Sequence, residues 1–429
     1  MIITFLGKGF KTVKSKRATY YFEEELSKKF QLKKSNYTNM LPLIIDNFSD
    51  KEIIPIFTKE AKETQTIVLD DEFGRKYENL FNDKYFIEDT KDFASILSIL
   101  NQVISQNHSY IIDLTHSFRH LPILATISLI SNHISDTSRV EHIFFAKEID
   151  PSTKATIGKY EIIDLKKYLE LANLSYMLSS FNQNYTISNN IKFSNPLYQE
   201  IADELNEFSS HFLSNSLKEL IDGALIDNII TNLKDLQKDK EIESFKNYID
   251  AIIKHLSNIQ ELKEKSDWEK LYELSKIMNH RGYQLNAITL LFEAVGFYCV
   301  ERFSKIELFN EKLEKFKNNI QMAKKPLYIY TDYTLTNESR TIVKKLNSFN
   351  TYNTNFIDDD MREKILLFTQ RVNRKDFRNF RSLIFDMEKL RNNLTHGNSG
   401  INIDDVKKEY EDLLKRVKQN CIKQDVLKN

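Results

Sequence analysis

The chain has 429 residues, 41% of them hydrophobic and 28% charged, which suits ordinary buried cores in two or three domains. Its 61 Lys and Arg balance 61 Asp and Glu, so any nucleic-acid surface has to be a local patch and not a property of the whole chain. The two cysteines, Cys299 and Cys421, form no CxxC pair, which argues against disulfide scaffolds and cysteine zinc sites, and no apolar run approaches the roughly 18 residues of a membrane span.

Residues 2–6 are a short apolar run ending in Gly7-Lys8-Gly9. The N-terminus therefore reads as a strand and not a signal peptide, and a cytoplasmic location is expected. Residues 20–30 have a helical pattern, residues 41–45 and 53–58 are strand candidates, and a helix is expected from Lys59. Residues 92–106 place Phe93, Ile96, Leu97 and Leu100 at helical spacing. A strand at 110–114, a helix at 121–133, and strands at 140–146 and 160–163 complete the series. Strands alternating with helices predict an α/β, Rossmann-like N-terminal domain with a mostly parallel, doubly wound sheet.

After Asp164 strand signals largely vanish, and helices are expected over 165–181, 198–220, 224–236, 242–262, 268–279, 284–303 and 374–396. The Asn- and Ser-rich stretch 182–195 is expected to be a linker, and 326–360 to hold a hairpin at 327–330 or a long loop. The expected organisation is an α/β domain over 1–165, a helical linker over 166–195 and an all-α domain over 196–429.

Ligands of open parallel sheets collect at the carboxyl ends of strands, where loop amides and helix N-termini point. Three loops fall there: Gly7-Lys8-Gly9, Thr58-Lys59, and Asp113 to Arg119, which offers Thr115, His116, Ser117 and Arg119 beside a helix start. Glycines allow close backbone approach and Lys8 can neutralise a phosphate, but a dinucleotide fingerprint lacks its third glycine, which disfavours NAD. The residues also fit a second reading. Asp113 and Thr115 can be turn and cap residues that shape the loop without touching a ligand.

Asp113-Leu114-Thr115-His116-Ser117 resembles the Asp-x-Thr-His-Gly signature of the CRISPR-associated Rossmann-fold (CARF) proteins, and the continuation Phe118-Arg119-His120-Leu121-Pro122 extends the match. Phe5-Leu6-Gly7-Lys8-Gly9 and Phe57-Thr58-Lys59-Glu60-Ala61 are also similar to that family, whereas Ser117 stands where the signature has glycine. The resemblance implies a homodimer that binds a cyclic oligoadenylate, cyclic tetra-adenylate being the expected ring, through Gly7, Lys8, Gly9, Thr58, Asp113, Thr115, His116, Ser117 and Arg119.

Near the C-terminus, Arg391-Asn392-Asn393-Leu394-Thr395-His396-Gly397 closes the last helical pattern of the 374–396 region. Side chains five apart lie about 140° apart on a helix, but a cap at Gly397 would let His396 swing away from the helical direction. The helix dipole favours a protonated imidazole there. An arginine to hold a phosphate and a histidine to move a proton suffice for internal RNA transfer without a metal, with Asn392 orienting either group. Residues 361–391 carry nine Lys and Arg against four Asp and Glu, a local excess of five in a neutral chain. Arg-x4-His recurs by chance in helical proteins, so the motif alone also fits a structural role.

The all-α context, the polar residue after Arg391 and the Gly after His396 resemble the higher eukaryote and prokaryote nucleotide-binding (HEPN) ribonuclease domain. The two resemblances together imply a cyclic oligoadenylate-activated endoribonuclease of type III CRISPR defence. It would act on single-stranded RNA with no metal or other cofactor, leave 2′,3′-cyclic phosphate ends, work as a dimer or assembly of dimers, and have no membrane partner. The alternative is a cyclic oligoadenylate sensor or ring nuclease whose helical domain serves only for dimerisation or partner contact. Of the remaining residues, His280-Arg281-Gly282 reads as a turn between helices, and Trp268, Phe292 and Phe297 as core. Glu293 reads as a buried polar partner or an aid to Arg391, and Asp358-Asp359-Asp360 as a solvated loop.

Overall fold

The apolar runs at Ile2–Phe5 (β1), Ile53–Ile56 (β4) and Tyr110–Asp113 (β5) are covered on both faces, which is why they read as continuous rather than alternating. The computed structural model describes residues 1–7, 17–75, 77–88, 90–105, 109–116, 120–133, 136–151, 157–307, 310–311, 328–345, 359–396, 400 and 402–428. It divides into two compact units. One comprises Met1–Asn182, Thr186–Glu207 and Thr231–Asp250, and the other Gln183–Tyr185, Phe208–Ile230 and Ala251–Asn429.

The first unit holds a seven-stranded sheet. Its other strands are Ala18–Phe22 (β2), Asn36–Tyr37 (β3), Val140–Asp150 (β6) and Lys159–Asp164 (β7). The order is β3-β2-β7-β6-β5-β1-β4. Strands β4, β1, β5 and β6 run parallel, as do β7 and β2, while β6–β7 and β2–β3 are antiparallel. This is the mostly parallel α/β class expected.

Its first helices are Glu24–Ser27 (α1), Met40–Asn47 (α2), Lys59–Phe73 (α3), Phe93–Ser105 (α4) and Leu121–His133 (α5). On one face of the sheet, Ile3, Phe5, Ile54, Ile56 and Ile112 pack with Ile96 and Leu100 of α4 and Leu121 and Ala125 of α5. On the other face Ile2, Ile111, Tyr20 and Phe144 pack with Met40, Leu43 and Ile44 of α2.

Two expectations need correcting. Residues 41–45 belong to α2, because a helix buried on nearly every side shows no period and imitates a strand; Asn39 caps it by accepting from the Leu41 N–H (3.0 Å). Residues 20–30 are not one helix but the end of β2 followed by α1, with Ala18, Tyr20 and Phe22 alternating inward.

Helices follow as Lys166–Asn184 (α6), Pro196–Leu213 (α7), Leu217–Asp222 (α8), Leu225–Leu236 (α9), Lys246–Gln260 (α10), Asp267–His280 (α11) and Gln284–Phe303 (α12). The last four are Tyr328–Lys345 (α13), Asp359–Gln370 (α14), Arg374–Thr395 (α15) and Ile403–Val417 (α16). The expected hairpin or loop over 326–360 is corrected by α13; residues 326–327 and 346–358 lie outside the described ones.

In the second unit α11 and α12 join through Gly282, whose φ of +85° favours glycine. Helix α12 buries Ala287, Ile288, Leu291, Phe292, Val295, Tyr298 and Cys299, so it is a central helix and not an amphipathic surface one. Helix α15 buries one stripe, Phe377, Phe380, Leu383, Ile384, Met387 and Leu390, and leaves its other faces open.

Candidate functional site

Strand β1 lies between β4 and β5, with Phe5 opposite Ile56 and Thr4 opposite Asp113. The chain leaves β4 on one side of β1 and returns as β5 on the other, so the carboxyl ends of all three strands open at one switch point. Gly7, Thr58 and the Leu114–His116 turn are thereby brought to one edge of the sheet. Lys8, Gly9, Ser117 and Arg119 lie outside the described residues.

Asp113 is fully buried. Its Oδ2 accepts from the Thr4 hydroxyl (2.7 Å), and its Oδ1 accepts from both the N–H (3.1 Å) and the hydroxyl (2.6 Å) of Thr115. The Thr115 Oγ1 in turn accepts from the Ala146 N–H (2.9 Å). The carboxylate thus ties β1, β5, β6 and the turn together. Burial pushes the Asp113 carboxyl up, against the pull of the Thr115 bond and the neighbouring His116.

The His116 imidazole is pushed down by burial, with the Asp113 charge opposing. Among the described residues its Nε2 is shut off from solvent and meets no hydrogen-bond partner. Thr58 is buried and caps α3, its Oγ1 accepting from the Ala61 N–H (3.3 Å). The N-terminus of α3 therefore points into the same edge. Sequence reasoning missed Thr4 as the anchor of Asp113; its signal was a lone hydroxyl in an otherwise apolar strand.

At the other candidate site, α15 presents Arg391 and His396 in different directions. Half-buried Arg391 rests its guanidinium 5.0 Å from the ring centroid of Phe292 on α12. Among the described residues that guanidinium meets no carboxylate. The same ring carries a second guanidinium, that of Arg340 on α13, at 3.9 Å.

Arg340 is only 1% exposed, and its charge is answered by Glu293 (3.0 and 3.3 Å) and by the Phe292 carbonyl (3.0 Å). The Thr336 hydroxyl also donates to Glu293 (2.9 Å). Glu293 is thus the partner of Arg340 and not of Arg391. Arg340 had no local sequence signal, since its partner lies 47 residues away.

Exposed His396 closes α15 with φ −81° and ψ −2°, its N–H donating to the carbonyl of half-buried Asn392 (3.0 Å). It continues the helical path, which corrects the expectation that it swings away; Gly397 lies outside the described residues. Arg391 and His396 of one chain therefore stay about 140° apart around the axis.

No family model matches the chain, and no curated protein matches it in sequence. Among solved structures, Enterococcus italicus Csm6 bound to cyclic hexa-2′-fluoro-hexa-dAMP is similar over 98% of this chain and 93% of that one, with 11% identity and a TM-score of 0.31. Among the described residues no group of three His, Cys, Asp or Glu is arranged to hold a metal ion. No described helix is long and apolar enough to cross a membrane.

Proposed function

We propose that this chain is a cyclic oligoadenylate-activated, metal-independent endoribonuclease of the CARF–HEPN type, cutting single-stranded RNA in type III CRISPR antiviral defence. Residues 1–165 act as the sensor, 166–195 as the linker and 196–429 as the ribonuclease domain. The observation that carries the reading is Arg391, half-buried on Phe292 without a carboxylate among the described residues, at the end of a helix that finishes in exposed His396. A preorganised guanidinium lacking a counter-ion suits a phosphate, and an exposed imidazole suits proton transfer.

In the proposed reaction the ribose 2′-oxygen forms a bond to the adjacent phosphorus as the bond to the 5′-oxygen breaks. The 2′ proton passes to a base and the His396 imidazolium gives a proton to the leaving 5′-oxygen, leaving 2′,3′-cyclic phosphate and 5′-OH ends. Arg391 stabilises the charge that builds on the phosphoryl oxygens, and Asn392 orients the phosphate. Because Arg391 and His396 face apart within one chain, two chains related by a two-fold axis supply a composite site.

The activator, cyclic tetra-adenylate in the first instance, binds at the carboxyl edge of β4, β1 and β5, with Gly7, Lys8, Gly9, Thr58, Thr115, His116, Ser117 and Arg119 around it and Asp113 holding the turn. It must favour the active arrangement by about 2.7 kcal/mol for each hundredfold change in the population ratio.

Purified protein is tested on labelled single-stranded RNA in EDTA, with and without cyclic tetra-adenylate, beside His396→Ala. Ligand-stimulated cleavage ending in 2′,3′-cyclic phosphate is expected, reduced about a hundredfold or more in the variant. Tight binding of cyclic oligoadenylates with no cleavage of RNA would overturn the ribonuclease assignment in favour of a sensor, and turnover of the ligand itself in favour of a ring nuclease.

A further inference from the structure

Helix α15 carries a second feature besides the Arg391–His396 pair. Arg374, Arg378, Arg381, Phe385 and Lys389 follow one another at intervals of four, three, four and four residues, and the same rhythm continues through Asn392 to His396. At 100° per residue they fall within an arc of roughly 80°, away from the buried stripe. Arg374, Arg378, Lys389 and His396 are exposed, and among these cations Phe385 is 45% exposed.

Among the described residues the charges on this stripe meet no acid. The two nearest acids of the helix are already taken: Asp386 by Arg416 (2.9 Å) and Glu388 by Lys344 (2.9 and 3.0 Å). Among the described residues none of the stripe's cations makes an ion pair, and the Arg381 Nε is buried with no acceptor. The Arg381 guanidinium lies 5.7 Å and the Lys344 ammonium 5.8 Å from the Phe385 ring centroid, so two positive groups neighbour a ring that is still 45% exposed. In a chain of zero net charge this is a concentrated exception.

We infer that this stripe is a track for single-stranded RNA leading to His396, with phosphates on Arg374, Arg378, Arg381 and Lys389 and one base stacked on Phe385. Unpaired cations interleaved with an exposed aromatic are what a flexible polyanion with flat bases requires, and neither feature alone would select it. The 23 residues from Arg374 to His396 span about 33 Å, the length of roughly ten stacked nucleotides at 3.4 Å each. The strand's end at His396 rests on the ribonuclease reading above; the track itself rests on charge and exposure alone.

The test uses full-length His396→Ala protein, so that no RNA is consumed, and a fluorescein-labelled 15-nucleotide single-stranded RNA followed by anisotropy across a salt series. Adding Arg374→Ala, Arg378→Ala and Lys389→Ala should lower the slope of log affinity against log salt by about 2, at about 0.7 per phosphate contact. Phe385→Ala should weaken binding about tenfold, and Phe385→Tyr should restore it. An unchanged slope and affinity in the triple variant would overturn the track. So would a change in sedimentation with no change in RNA affinity, which would make the stripe a protein–protein face. Parallel cleavage by protein with His396 intact separates the two proposals. Binding with the expected slope but no cleavage sinks the ribonuclease and keeps the track, whereas cleavage with a slope indifferent to the variants does the reverse.

Discussion

Gly296→Ala is the sharpest test of the packing beneath Arg391. In an ordinary helix the change would stabilise by about 1 kcal/mol, because glycine is the poorer helix former. Here a Cβ would stand 2.3 Å from the Arg340 Nη1 and 2.6 Å from the Thr336 Cβ. The arginine tip is no loose end, since Glu293, the Phe292 carbonyl and the Phe292 ring all hold it. The Thr336 Cβ sits on the α13 backbone, so the helix itself must move. Overpacking of this kind costs about 1–3 kcal/mol, and freeing a buried guanidinium from its carboxylate costs about 3–5 kcal/mol if the pair breaks outright. The steric terms therefore outweigh propensity, and a net loss of about 2 kcal/mol is expected. The chain's single tryptophan, Trp268, is buried in the same unit against Tyr298 (5.6 Å between ring centroids) and reports unfolding there. With a denaturant slope of about 2 kcal/mol per molar, the urea midpoint of Trp268 fluorescence should fall by on the order of 1 M. A midpoint equal to or above that of the parent protein would refute the close approach of α12 and α13.

Burial holds the His133 imidazole below its ordinary value of 6.5, with Nε2 accepting from the Tyr110 hydroxyl (2.6 Å) and Nδ1 donating to the Asp136 carbonyl (3.0 Å). The unfolded chain therefore binds the proton more readily, so this contribution is intact above about pH 6.5 and is lost as pH falls below it. Amide exchange in β5 and α5, corrected for intrinsic rates, should show protection dropping between pH 7 and pH 5, and His133→Gln should flatten that dependence; equal slopes would refute the assignment. In the second unit Ser275 donates to the Ala287 carbonyl (2.9 Å), so Tyr410 must donate to Ser275 (2.5 Å). Tyr410→Phe should cost about 1 kcal/mol and lower the Trp268 midpoint accordingly, and no shift would mean that α16 does not close on α11 through this bond.

How much of this was legible depended on whether the signal was local. The alternation of strands and helices and the buried runs of β1, β4 and β5 can be read along the chain, because burial on both sheet faces selects apolar residues at most positions, with Thr4 and Asp113 the polar exceptions. Helix α2 was misread for the same reason, since a helix enclosed on nearly all sides also has no period. The inward alternation of Ala18, Tyr20 and Phe22 was available and was overlooked in favour of a helical pattern.

The sequence alone determined the class of fold and which residue types stand at the strand ends and at the end of α15, since hydrophobic period and turn chemistry act over a few neighbouring residues. Only the tertiary structure decided what each polar group does. It turned Asp113 into the clasp between Thr4 and Thr115, gave Glu293 to Arg340, left Arg391 on Phe292 without an acid among the described residues, and exposed the cations of α15 by pairing Asp386 and Glu388 elsewhere. Several of these partners lie tens of residues or more away in the chain, and what fixes such pairs is the cost of burying an unanswered charge, a term that arises only once the helices and strands have packed.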